Sequence, residues 1–409
     1  MDDRFIDRLL NRRIPFGKTA FTALDMLFLA ALCLLALIAR LYLFPLESAD
    51  WRNCLSPWFD EIRRVGAWKS VGMTISNYPS PYMYLMSLVS GFENRLFALK
   101  AVSVVFDFIG AAVFFLLAHH LTRNTRKSIL AMAAILLCPT VVFNSAWWCQ
   151  CDMIYSTFIL AAIYCLFKER SAACCIFLGV ALSFKVQTVL LLPFIIIMWL
   201  NNRTVKIWHL LFVPVVYMLM NVPALIAGRS LFDILATYYA QSGYYAFGTL
   251  KFPNLYVFLN ETEGNLHHME ELGGFGICFS MILLGALAYY LYAKKRRLDD
   301  TMVVTIAILS LSLALYTLPH MHDRYGFLVD LLAILYAVQR PGKAFVAVGY
   351  ITISLFTYMA YLTDITLIPD PVLALLLLGL DVYVGYDLHC QLNEAKPIPF
   401  PNLSHPESQ

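Results

Sequence analysis

From about residue 22 to residue 388 the chain alternates between long apolar runs and short breaks that carry most of its charge. A run of about 20 apolar residues bridges the hydrocarbon core of a bilayer. Inside that core every backbone N–H and C=O must find a partner within the protein. Helices meet this demand locally, segment by segment, so the alternation restricts the chain to an all-α polytopic membrane protein. Composition agrees: of 409 residues, 60% are hydrophobic and 14% charged, against roughly half and about a quarter in soluble domains. The longest less apolar stretches, 47–80 and 228–272, are too short for a separate soluble domain. Residues 1–409 are therefore expected to form a single integral membrane domain.

The candidate spans are 22–45, 95–120, 127–145, 152–168, 171–184, 187–200, 206–227, 273–293, 301–318, 325–339, 343–362 and 371–388, about twelve crossings, some short or broken. The lead `MDDRFIDRLLNRRIPFGK` is polar and basic. The apolar run behind it is too long for the core of a cleavable signal peptide, so it reads as the first span. Residues 171–200 fit either one long helix or two short arms broken at `SFKVQ` (183–187). Two arms put `TRNTRK`, `KER`, `NNRTVK`, `KKRR` and `QRPGK` on one side, as the positive-inside rule asks of the cytoplasmic face. That topology makes 1–21 a cytoplasmic N-terminus and 389–409 a cytoplasmic tail. It sends `NSAWWCQCD`, `SFKVQ`, `LPHMHDRY` and both large loops to the other face. Short arms suit helices that surround a water-filled cavity, where a broken backbone is tolerated.

In the first outer loop, Trp58, Ile62, Val65 and Trp68 recur at helical spacing, with Asp60, Glu61, Arg63 and Arg64 on the other face. The spacing predicts an amphipathic helix lying in the membrane interface. Pro79 and Pro81 of `NYPSP` then break the chain before a second short helix, making two interfacial helices. The second outer loop is aromatic and then acidic, and Asn260–Thr262 spell a glycosylation sequon. Ten cysteines, among them the Cys149/Cys151 and Cys174/Cys175 pairs, lack zinc-ligand spacing and read as small core residues.

Four places concentrate chemistry at the non-cytoplasmic face. Asp50 follows the first span and is either a solvated carboxylate or a general base. In `WWCQCD`, Gln150 and Asp152 open a short helix, where an acid can cap, serve a substrate, or do both. Lys185 and Gln187 mark the break between the two arms. The lysine either snorkels to the interface or holds an anion at membrane depth. `LPHMHDRYGF` places His320, His322, Asp323 and Arg324 within five positions. Arginine pairs bidentately with phosphate and the imidazoles add donors. One HxH without a third fixed ligand is weak for a metal, so an anion site is favoured, with no metal and no cofactor.

In order and spacing, these residues resemble the GT-C superfamily of membrane glycosyltransferases, which use polyprenyl-phosphate-linked sugars. The resemblance covers most of the chain. `NYPSPYMYL`, with Tyr78, is similar to the family's `[DN]YPP` stretch. `WWCQCD`, with Trp148, Gln150 and Asp152, is similar to its W-x-Q-x-D. `ALSFKVQTVLLLP`, with Lys185 and Gln187, is similar to its small-x-x-x-K-x-Q…P segment. `LPHMHDRYGF` resembles the MH[ED]RY signature of bacterial members. A more distant similarity runs to the dolichyl-phosphate-glucose glucosyltransferases of the ER. Two features depart from the pattern: Trp51 rather than a second acid follows Asp50, and Ser80 separates the prolines.

The resemblance implies a GT-C-like fold and a catalytic base at Asp50. It also implies donor-phosphate ligands at Lys185, His320, His322 and Arg324. Trp148, Gln150, Asp152, Gln187, Asp323 and Tyr78 would meet substrate, with Trp148 stacking on a sugar face. The expected activity is hexosyl transfer, of mannosyl or glucosyl type and inverting, from a polyprenyl-phosphate sugar donor to a glycan, glycolipid or protein acceptor of the cell envelope. The expected setting is a bacterial plasma membrane, or else the ER membrane, with membrane lipids and no nucleic acid as partners. The alternatives are a lipid-linked sugar flippase or transporter, and a polysaccharide polymerase or ligase. No internal repeat of the kind common in transporters is evident.

Overall fold

The computed structural model describes residues 11–16, 19–201, 205–242, 247–259 and 266–397. After a short hairpin of β1 (Arg13–Phe16) and β2 (Thr19–Thr22), the chain is almost wholly helical. Among the described residues, seven helices are long and apolar enough to cross a membrane. They are α1 (Ala23–Leu43), α5 (Arg95–Thr122), α11 (Phe212–Ile226, entered by a 3-10 turn from Ile207), α13 (Leu266–Lys294), α14 (Asp300–Thr317), α16 (Phe345–Thr363) and α17 (Asp370–Glu394). An eighth candidate is bent by 50° between α6 (Thr125–Leu136) and the segment Pro139–Trp147, which starts as α7 (Pro139–Val142). Pro139 has no N–H to continue the ladder of α6, which explains the bend. Four apolar pieces are shorter: α8 (Asp152–Phe167), α9 (Ser171–Phe184), Val186–Leu200, which ends as α10 (Leu192–Leu200), and α15 (Phe327–Gln339).

Residues 171–200 thus form two arms. Lys185 sits between them in extended backbone, φ −154° and ψ 134°. The helix ends are set locally. Thr22 and Asp25 form a capping box on α1, and Asn94, Asn124 and Asp299 cap α5, α6 and α14 through their side chains. One apolar cluster runs from Ala36 to Leu392. Its centre is α14, whose most apolar stretch is 83% buried against 11% for α1. α1 is therefore peripheral and shows its leucines outward.

Polar contacts hold that outer helix. Arg40 is wholly buried, with Nε 2.7 Å from Asp107 Oδ2 and Nη1 donating to the carbonyls of Ala36 and Leu136. The Ser145 hydroxyl donates to the same Asp107 oxygen at 2.6 Å. Lys100 ties off the carbonyls just past α1, with Nζ 2.9 Å from Phe44 O and 2.5 Å from Leu46 O. Those contacts fix the direction in which the chain leaves α1 toward Asp50.

The helices alternate between two ends. At one end, His120 meets Asp300 (3.0 Å), Lys206 N meets Ser171 Oγ (2.9 Å), Arg340 meets Asp387 (2.9 Å) and Arg297 N meets Lys396 O (3.1 Å). This is the basic end, where most of the Lys/Arg-rich breaks gather. The opposite end carries `LPHMHDRY` and the segments that follow α1, precede α8 and follow α9.

The first large loop differs from the expected single amphipathic helix. Its helix, α2 (Ser56–Val65), stops where Gly66 turns left-handed at φ 94°, and Trp68 lies exposed on a separate short helix, α3 (Ala67–Val71). Phe59 and Ile62 form the buried face of α2, and Trp58 packs edge-on against Tyr78 at 5.6 Å. The proline-broken segment does begin a helix, α4 (Ser80–Val89), with Pro81 in its first turn, where a missing N–H costs nothing. Before it, Gly72 lies so close to the end of α11 that a Cβ would stand 2.0 Å from Ala227 O. Gly72→Ala should therefore lower stability by about 1–3 kcal/mol, as overpacking does, measured by thermal unfolding in detergent. The Asn260–Thr262 sequon and the start of the acidic stretch lie outside the described residues, and the rest of that stretch opens α13.

Candidate active site

The site assembles where five breaks meet. Ser48 starts a helical turn by accepting from Trp51 N (3.1 Å) while its hydroxyl donates to Trp148 O (2.7 Å). Asp50 therefore stands in the first turn of a helix, where the dipole favours a negative charge, already docked against the `WWCQCD` segment. There Cys149 adopts φ 67°. This turn points the residues on either side of it at one carboxylate. Trp148 Nε1 and Gln150 Nε2 donate to Asp50 Oδ2 at 2.8 and 2.6 Å. Tyr361, from the end of α16, donates to Asp50 Oδ1 at 2.5 Å. Arg324 Nη1 lies 3.4 Å from Oδ2.

Asp152 forms the second node. Its Oδ1 pairs with Lys185, its Oδ2 accepts from Asn144 Nδ2 at 2.7 Å, and Arg324 Nε lies 3.8 Å away. One guanidinium thus joins two carboxylates. The third acid, Asp323, accepts from His322 Nδ1 at 2.5 Å. `LPHMHDRY` itself is held by the second large loop. β3 (Thr249–Leu250) pairs in parallel with β4 (Met321–His322), and His320 N and Asp323 N donate to Gly248 O and Leu250 O. His320 takes φ 61° in this pairing, and its Nδ1 lies 2.6 Å from Phe247 O.

A cavity of about 350 Å³ opens beside Arg324. Lys185, Gln187, His320, His322 and Arg324 supply its polar wall; Leu190, Tyr238 and Ile277 are among its apolar lining. Gln187 lines this cavity, with its Oε1 buried and without a protein partner. Two larger open concavities, of about 840 and 780 Å³, lie among the loops of the basic end, far from these acids. The smaller cavity is the one backed by linked acids and cations.

Asp50 is the carboxylate a ligand can reach: its side chain is 24% exposed, against 3% for Asp152. Burial opposes its charge, but Arg324, then the Tyr361 and Trp148 hydrogen bonds, then His322, outweigh burial and hold its carboxyl below the usual range. Asp50 thus stays ionised to a pH below the ~3.9 of a free aspartate. Any activity that needs the carboxylate should keep its acidic limb there. Tyr361→Phe removes one donor to the charged form and should move that limb to higher pH, read from the pH dependence of kcat/KM. Burial likewise pushes the Tyr78 phenol well up, so it remains a donor to Gln150 Oε1, 3.1 Å away.

All of the site residues singled out in the sequence come together here, but their work differs from expectation in four places. Trp148 is fully buried, stacked on Tyr361 at 4.3 Å and edge-on to Tyr358 at 5.0 Å. No face of it is open to a sugar, and it acts on Asp50 through its indole N–H. The Gln150 amide is used at both ends, by Asp50 and Tyr78. Asp152 is closed in by Lys185 and Asn144. Asp323, 2% exposed, is likewise closed in by His322. These four brace the site rather than face substrate. The sequence reading missed Tyr361, Asn144 and Tyr358. Asn144 had a visible signal, an amide in an apolar run; the two tyrosines of α16 had none.

Among the described residues no three His, Cys, Asp or Glu side chains group as metal ligands. No protein-family model matches the chain, and no curated protein matches it.

Proposed function

We propose that this chain is a membrane glycosyltransferase that moves a sugar from a polyprenyl-phosphate donor to an acceptor hydroxyl, with a GT-C-like fold of twelve crossings. The observation that carries the reading is the position of Arg324. It lines the cavity on one side and contacts Asp50, the reachable carboxylate, on the other. A donor phosphate in the cavity and an acceptor at Asp50 would then flank the anomeric carbon.

In this reading the acceptor hydroxyl gives its proton to Asp50 as its oxygen bonds to the anomeric carbon. The bond from that carbon to the phosphate oxygen breaks, its electron pair leaves with the phosphate, and the configuration inverts. Arg324, Lys185, His322 and His320 offset the charge that grows on the leaving phosphate. Gln187 accepts from a donor sugar hydroxyl. Asp50 is a weak base, so proton transfer comes late, once the attacking hydroxyl has become acidic. The apolar lining of the cavity receives the first units of the lipid. In this reading the basic end faces the cytoplasm, as the positive-inside rule asks, and the reaction takes place on the opposite face of a bacterial plasma membrane, or else of the ER membrane, where a lipid-borne donor takes the place of nucleotide sugars.

The test is turnover. Purified protein is incubated with a panel of radiolabelled polyprenyl-phosphate sugars, with and without chelator, beside Asp50→Asn. Release or transfer of sugar by wild type alone supports the reading and names the donor. A second reading, a lipid-linked sugar flippase, has two carboxyls in the bundle interior, Asp330 and Asp381, in its favour. Donor binding without turnover of any donor decides for it.

A further inference from the structure

Most buried acids among the described residues come with a cation or an imidazole. Asp25 has Arg126, Asp107 has Arg40, Asp152 has Lys185, Asp323 has His322, and Asp387 has Arg340 and Lys343. Asp330 and Asp381 do not. Asp330, in the first turn of α15, is 0% exposed, and Asp381, midway along α17, is 2% exposed. Only hydroxyls donate to them. Asp330 accepts from Thr140 Oγ1 at 2.9 Å and Ser354 Oγ at 3.0 Å. Asp381 Oδ1 accepts from Tyr350 OH at 2.6 Å, Ser312 lies beside it, and Oδ2 is buried without a partner. The other titratable groups that face them are Cys138 ahead of α7, Tyr358 on α16 and Tyr316 on α14. None is a cation.

Between the two acids lies a void of about 10 Å³, lined by Ser312, Asp330, Tyr350 and Ser354. This is close to the room one water needs, with four polar partners around it. The void joins Asp330 to the Tyr350 and Ser312 hydroxyls around Asp381. A further step leads toward the motif end: Thr357 Oγ1 donates to Ser354 O (2.8 Å) and to Asp323 O (3.1 Å).

We propose that Asp330 and Asp381 form a proton-binding site in the bundle interior, occupied in the resting protein and joined through a single-water cavity. A carboxylate taken out of water without a counter-charge is far costlier than the neutral acid, and ionisable groups inside a membrane bundle mark ion and proton sites. The bound species is H⁺, taken from bulk water to form the O–H bond of each acid. The site is separate from the Asp50 constellation and stands whether or not sugar transfer is confirmed.

Infrared spectroscopy of the full chain in an ester-free detergent tests this directly. At pH 7 exposed carboxylates are ionised, so carboxylic-acid C=O absorption reports buried neutral acids. Wild type should show two such components, both shifting in D₂O and both lost at strongly alkaline pH. Asp330→Asn should remove one and Asp381→Asn the other, with the unfolding temperature close to that of wild type, because an amide keeps the shape and neutrality of the acid. No acid absorption in wild type, or absorption unchanged by either variant, overturns the proposal. So does loss of the bands when sodium replaces choline, which would make the site one for a sodium ion.

Discussion

Asp50→Asn should lower kcat by about 10²–10⁴-fold, the range a general base contributes, with donor affinity within a few-fold of wild type. The asparagine keeps the shape of the side chain, and its oxygen can still accept from Tyr361 or from Trp148 and Gln150. What it cannot do is take a proton. The cavity wall of Lys185, Gln187, His320 and His322 is untouched, so donor binding should survive, and the loss should fall on kcat rather than KM. Single-turnover measurement with the donor identified by the panel reads this split. Turnover close to wild type would remove Asp50 from the mechanism. A large rise in KM at unchanged kcat would make it a binding group.

Arg40→Met should be the most damaging single change to the fold outside the site. It leaves Asp107 buried with only Ser145 for company, and breaking a buried pair in this way costs about 3–5 kcal/mol. Because Arg40 also holds the carbonyls of Ala36 and Leu136, the loss loosens α1 from α5 and from the bend after α6. The double variant Arg40→Met/Asp107→Leu should recover most of the stability, because two apolar groups often replace a buried pair at little cost. Thermal unfolding of the three proteins in one detergent decides it. A double variant no better than the single would show that the carbonyl contacts of Arg40, not its charge, do the holding.

The helical framework was legible because its signal is local. Apolar length located the helices, and the Lys-Val-Gln break separated the two arms at Lys185. The failures share one cause: a contact between distant residues has no signature in either segment. Gly66 was read through because the apolar spacing of Trp58, Ile62 and Val65 continued to Trp68, and a single glycine does not announce its φ. Trp148 looked like an exposed aromatic platform because burial depends on α16, over 200 positions away. Tyr361 was invisible for the same reason, as was the Arg40–Asp107 pair, 67 residues apart. Asp330 and Asp381 were passed over as single acids inside apolar runs, because the absence of a cation near either is a property of the assembled bundle.

The two-residue pairing of Thr249–Leu250 with Met321–His322 ties the second large loop to the motif through backbone alone. Register is fixed by a few backbone hydrogen bonds around Gly248 and Leu250, which are indifferent to side-chain identity. Phe247, Asn254 and Tyr256 extend the hold, with Phe247 O 2.6 Å from His320 Nδ1, Asn254 Nδ2 donating to Leu318 O at 3.3 Å and Tyr256 OH to Thr317 O at 3.2 Å. In the proposed reading, the loop at the mouth of the cavity and the wall that meets the anion are therefore one mechanical unit, and a shift in either carries the other with it.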